Sequence, residues 1–218
     1  MPHTWDAGVP TPEESLQRLV EGNLRFRASR ASAVRSWDPK HATEGQRPFA
    51  IVLGCSDSRT PVEILFDQGF GDLFVVRIAG NVVAPSVVGS IEFAASQFGS
   101  RLVVVMGHTG CGAVTATVHA IETGSGSESR NIRDITDRIA PHIEGLVRSG
   151  GQGAAAREAV VREAVRANVR ASVDHLRHGS RILEELVVAE RLVMVGAEYD
   201  LASGEVVFFD RGGSLRSG

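Results

Sequence analysis

The chain has 218 residues and a mass of 23.2 kDa, with a formal net charge of −3 from 26 acidic and 23 basic residues. That length fits one domain with a sizeable core, and the charge balance lacks the basic excess of a nucleic-acid binder. Two cysteines, Cys55 and Cys111, exclude a disulfide-rich secreted scaffold; one disulfide, a metal site and plain core packing stay open.

The first residues carry no apolar stretch of the kind a secretory signal needs. The longest apolar runs, such as Leu102–Met106, fall far short of the ~20 residues of a membrane span. A cytoplasmic protein with no membrane partner is expected. Thr11-Pro12-Glu13-Glu14 predicts a helix start: Thr11 caps, Pro12 fits the first helical position, and Glu14 closes a capping box. Leu16, Leu19, Val20 and Leu24 extend the helical spacing to near Ser29. Residues 30–47 are polar and irregular, with Trp37 and Pro39 as packing anchors, and complete an N-terminal arm over residues 1–47.

Phe49–Leu53 is a continuous apolar run ended by Gly54, as in a strand buried on both faces. Leu73–Val76 is a second such run, with a helix-capable stretch between. Val87–Phe98 reads as a helix, Leu102–Met106 as a third strand ended by Gly107, and Ala113–Ile121 as a further helix. Residues 48–123 thus form a core unit. Within 124–218 a loop at Gly124–Ser127 leads to helices over Asn131–Arg148, Ala154–His178 and Ile182–Glu190. Strands at Leu192–Gly196 and Glu205–Phe209 follow, joined by a turn near Ser203-Gly204. No internal repeat is present. The pattern predicts one α/β domain over 1–218: a mainly parallel β-sheet flanked by helices, with an N-terminal helical arm, C-terminal helices and edge strands.

The chemistry-bearing residues fall just past the first and third strands, in Gly54-Cys55-Ser56-Asp57-Ser58-Arg59 and Gly107-His108-Thr109-Gly110-Cys111-Gly112. Sites in open α/β sheets form outside the carboxyl ends of parallel strands. His108 and Cys111 are close enough for one loop to offer both to one ion, and Cys55 can supply a third ligand. Two thiolates and an imidazole suit zinc. The fourth position is left to water or to Asp57. His119, His142, His175 and His178 read as helix-surface residues. Arg157, Arg162, Arg166 and Arg170 read mostly as a solvated face, Tyr199 as packing, and Glu198 and Asp200 as turn chemistry.

These two loops resemble those of the β-class carbonic anhydrases, as do Gly22-Asn23-Leu24-Arg25-Phe26, Gly71–Arg77, Ala79-Gly80-Asn81 and Gly89–Phe93. The resemblance implies one zinc ion per chain, held by Cys55, His108 and Cys111. It implies reversible hydration of carbon dioxide to bicarbonate and a proton, by attack of a zinc-held hydroxide. Asp57 and Arg59 would be the catalytic dyad, with Asp57 on the metal only in a closed state. The substrate site would include Gln46, Phe74, Ala79, the backbone of Gly112, and Phe93, which stands where plant-type members carry tyrosine. Val52 replaces the tryptophan of a bicarbonate regulatory site found in some bacterial members, which points to the plant-like, open subgroup. The implied assembly is a homodimer with active sites at the interface, Gln46 and Phe74 coming from the partner, or a tetramer. Two other readings are a carbon disulfide or carbonyl sulfide hydrolase on the same site, and an inactive zinc-binding or redox-sensing module. The Asp57–Arg59 pair argues against the last, since a structural metal site has no use for it.

Overall fold

Thr11 opens the first helix, α1 (Pro12–Arg27), by a reciprocal cap. The Glu14 N–H donates to Thr11 Oγ1 at 3.2 Å, and the Thr11 N–H donates to Glu14 Oε2 at 2.8 Å. The computed structural model describes residues 8–29, 43, 45–151 and 153–209; Trp37 and Pro39 lie outside them. Gly22 lies where α1 crosses the backbone: a Cβ there would sit 1.8 Å from the Phe66 carbonyl oxygen. Gly22→Ala should therefore lower stability by about 3 kcal/mol, the upper end for overpacking. A shift of the urea midpoint measures it; an unchanged midpoint would mean that α1 is not docked this way.

Among the described residues, five strands form one sheet: β1 (Ala50–Gly54), β2 (Leu73–Arg77), β3 (Leu102–His108), β4 (Val193–Tyr199) and β5 (Val206–Phe209). Their order is β2-β1-β3-β4-β5, with the first four parallel and β5 antiparallel at the edge. β1 and β3 are buried along their whole length, which is why they read as unbroken apolar runs. Among the described residues, six further helices surround the sheet: α2 (Val62–Leu65), α3 (Pro85–Gln97), α4 (Gly112–Thr123), α5 (Arg130–Ser149), α6 (Ala154–His178) and α7 (Arg181–Val188). Ala50, Val52, Val104 and Met106 pack on Leu16 and Leu19 of α1. Ile51, Leu53, Val103 and Val105 face the opposite layer, where Ile91 of α3 and Val169, Val173 and Leu176 of α6 cover them. A third cluster joins α4, α5 and α6 to both cysteines.

Two strands run further than expected. β3 does not end at Met106 but continues through Gly107 and His108, because β4 also continues and pairs Gly107 with Glu198 and His108 with Tyr199. Gly107 allows close approach instead of ending the strand: a Cβ would lie 2.7 Å from Val169 Cγ2 and 2.9 Å from Val165 Cγ1. The chain leaves β1 towards β2 on one side and β3 towards β4 on the other. The reversal opens a crevice at the carboxyl ends of β1 and β3.

Candidate metal centre

Cys55 follows the last residue of β1, His108 is the last residue of β3, and Cys111 is the N-cap of α4. Parallel pairing of β1 with β3 brings the first two together, and the tight turn after β3, with Gly110 at φ 66°, returns the third. All three are buried, and their ligand atoms lie within 4.8 Å of one another. Among the described residues this is the one cluster of His, Cys, Asp or Glu that could hold a metal ion.

Local hydrogen bonds orient each donor. His108 Nδ1 lies 3.0 Å from the Thr109 carbonyl, which only accepts, so Nδ1 carries the proton. Nε2 then presents a lone pair, and it is a buried atom with no hydrogen-bond partner. Cys55 Sγ accepts from the Gly80 N–H at 3.4 Å. The Cys55 thiol is pulled well below its ordinary pKa, first by a hydrogen bond from Cys111, with burial opposing and His108 and backbone groups assisting. Cys111 is pushed up by that same bond and by burial, although the N–H groups of Val114 and Ala113 at the start of α4 favour its thiolate. Two buried thiols this close can share only one negative charge unless a cation joins them. Two thiolates and an orphaned imidazole nitrogen are the donor set zinc takes, with ligand atoms about 3.5–4 Å apart in tetrahedral geometry. The residues fit zinc.

Asp57 and Arg59 stand at the mouth of the cluster. The Arg59 backbone N–H and Nε both donate to Asp57 Oδ1 at 2.9 Å, and Nη2 donates to Oδ2 at 2.8 Å. Arg59 thereby holds the Asp57 carboxyl far below the usual carboxylate range. Asp57 Oδ2 remains 3.9 Å from His108 Nε2. Two residues fix the loop itself. Arg77, at the end of β2, donates from Nε to the Cys55 carbonyl at 3.0 Å and from Nη2 to the Asp57 carbonyl at 2.6 Å. Thr60 Oγ1 donates to the Asp57 carbonyl at 2.9 Å. Sequence reading missed this clamp, though an arginine ending an otherwise apolar strand was a signal for it.

Of the other expected site residues, Ala79 opens the turn beside Cys55, and exposed Gly112 follows Cys111 at the first position of α4. Gln46 lies instead at the amino ends of the strands, next to Gly71, opposite the end that carries Cys55. Phe74 and Phe93 form an aromatic cluster with Phe98, at centroid distances of 6.0 and 5.7 Å. His119, His142, His175 and His178 are exposed, and Tyr199 is buried in the core. Asp200 does make turn chemistry, accepting from Ser203 and Ala202. Glu198 does not: it is buried and paired with Arg166.

The carbonic anhydrase family model matches residues 50–206. A carbonic anhydrase of Mycolicibacterium smegmatis is 40% identical over 197 residues, which cover 89% of this chain and 92% of that protein. Carbonic anhydrase 2 of Mycobacterium tuberculosis is 36% identical over 219 residues, 94% of this chain and 96% of the relative. Among solved structures, the β-carbonic anhydrase CafA of Aspergillus fumigatus superposes with a TM-score of 0.68 at 25% identity, covering 90% of this chain and 91% of that one.

Proposed function

The chain belongs to the β-class carbonic anhydrases, and from that premise we propose that Cys55, His108 and Cys111 hold its zinc ion while Asp57 and Arg59 form the catalytic pair beside it. The enzyme is zinc-dependent and hydrates carbon dioxide reversibly to bicarbonate and a proton. The observation that carries the residue assignment is the buried triad, with two thiols and an unpartnered imidazole nitrogen within 4.8 Å. When bound, zinc supplies a Lewis acid and makes a water nucleophilic near neutral pH.

The protein's own groups do the rest. Asp57 stays ionised, so it can only accept a hydrogen bond, and from the mouth of the cluster it orients the attacking water. Arg59 engages both Asp57 oxygens, which supports the open arrangement over one in which Asp57 binds the metal. The exposed N-terminus of α4 at Gly112 presents backbone N–H groups and a positive dipole end, suited to charge developing on substrate oxygens. Ala79 contributes a small apolar wall. Gln46 and Phe74 would reach this site from a partner subunit, a reading supported by Gln46 lying at the far end of its own sheet. Phe93 would line the same pocket, and exposed Phe70 and Phe93 suit an assembly in which apolar surface is covered. The assembly proposed is a homodimer, alone or paired into a tetramer. Among the described residues no helix is long and apolar enough to cross a membrane. A reducing cytoplasm would suit the free thiols. The sulfide-hydrolase and redox-module readings gain nothing from these relatives, which are carbonic anhydrases.

Metal analysis and stopped-flow hydration on one sample test the assignment, and one zinc per chain is expected. Asp57→Ala should keep that zinc and lose about 10–100-fold in hydration rate, the usual loss when a group orienting a metal site is removed. A wild-type rate in zinc-loaded Asp57→Ala would take Asp57 out of the mechanism.

A further inference from the structure

Asn168 and Ser172 sit one turn apart on the buried stripe of α6, beside Val165, Val169, Val173 and Leu176. They are only 2% and 5% exposed. Polar side chains in an apolar stripe need partners, and both find theirs on one short segment, the turn Ala79–Asn81. Asn168 Nδ2 donates to the Gly80 carbonyl at 2.8 Å, and Ser172 Oγ donates to the Asn81 carbonyl at 3.2 Å. The turn has two successive left-handed residues, Gly80 at φ 67° and Asn81 at φ 45°. A non-glycine residue in that region persists where its surroundings hold it. Gly80 has no room for a side chain: a Cβ would meet Ile139 Cδ1 at 2.9 Å and Ala113 Cβ at 3.0 Å. Its N–H donates to Cys55 Sγ. Just past the turn, Arg138 Nη1 on α5 donates to the Val83 carbonyl at 3.0 Å.

We propose that Asn168 and Ser172 are positioning residues for the zinc site, fixing the left-handed turn from α6 so that the Gly80 N–H is aimed at Cys55 Sγ. The proposal rests on Cys55 being a zinc ligand. A directed N–H bond stabilises the charge on a ligating sulfur and fixes which of its lone pairs faces the metal. Neither side chain touches the reacting groups; Asn168 acts through the Gly80 carbonyl and Ser172 through the Asn81 carbonyl. The two contacts span 88 and 91 residues of sequence, so a helix late in the chain sets the geometry of a ligand near its start.

The test uses the full-length zinc-loaded protein and the variants Asn168→Ala, Ser172→Ala and Ser172→Thr. Threonine keeps the hydroxyl, and Ser172 lines a cavity of about 220 Å³. Zinc affinity is read by chelator competition, and the site geometry by the thiolate-to-metal band of cobalt-substituted protein. Both alanine variants should bind zinc about 10–100-fold more weakly and shift the cobalt band, while Ser172→Thr restores both. Alanine variants that melt at lower temperature but keep the wild-type zinc affinity and cobalt band would overturn the proposal. If Asn168→Ala does not fold, Ser172→Ala against Ser172→Thr decides it. A wild-type protein without zinc would overturn the ligand assignment itself, and this proposal with it.

Discussion

Replacing Cys55 by serine should yield a folded protein that holds no stoichiometric zinc and hydrates carbon dioxide at least ~10³-fold more slowly than wild type. Zinc sites of this kind are worth about 10–16 kcal/mol over their ligands, so losing one of three protein ligands weakens binding by roughly 10²–10⁴-fold. Serine is close in size, and Cys55 is buried at the end of a strand whose pairing does not involve the sulfur, so the fold should persist. Its hydroxyl cannot replace the thiol, because the thiol ionises in this environment and a serine hydroxyl does not. His108 Nε2 and Cys111 would remain, with too few donors to close a site. The rate falls because the metal's lowering of a water pKa from 15.7 to about 7 is lost. Circular dichroism, metal content and stopped-flow hydration on one preparation decide the matter. Wild-type hydration from a metal-free Cys55→Ser sample would refute the zinc assignment. Zinc retention at full occupancy would show that the triad is not the ligand set.

The fold and the clustering of Cys55, His108 and Cys111 were legible because local signals carried them. Strands buried on both faces leave unbroken apolar runs, and the reversal of strand order places the loops after β1 and β3 in one crevice. Both cysteines and His108 lie at those two strand ends. Gly107 misled, because glycine after an apolar run reads as a stop. Its role in the structure is to let α6 approach, which depends on Val165 and Val169 far along the chain. Asn168 and Ser172 left a weak signal, two polar residues at i, i+4 on an apolar stripe, but nothing local says which carbonyls they reach. Gln46 illustrates another limit: the chain holds it at the opposite end of the sheet from Cys55, so the part proposed for it requires a second copy. The arginines of α6 were read as a solvated face, and Arg166 departs from that reading because its partner arrives from β4, 32 residues later.

Removing that arginine should be among the costlier single changes away from the metal. Glu198 is 5% exposed, and its Oε2 accepts from Nε of Arg166 at 2.7 Å, with Nη2 of the same guanidinium in ion-pair contact at 2.7 Å. Its Oε1 is buried and has no hydrogen-bond partner. Arg166→Met leaves this buried carboxylate without its ion-pair partner. Breaking a buried pair from one side costs about 3–5 kcal/mol. The low end applies here, because Arg166 is itself 35% exposed and water can partly replace it. Replacing both partners by apolar residues is often neutral, so Arg166→Met with Glu198→Leu should recover most of the loss. Urea unfolding of zinc-loaded protein separates the cases. A midpoint that falls equally in the single and double variants would show that packing of the arginine stem, and not the stranded charge, is the cause. The pair also bears on the site: Glu198 is paired with Gly107, and the next position along pairs Tyr199 with His108. A charge that ties α6 to β4 at that point holds the two strand ends in register where the imidazole leaves the sheet.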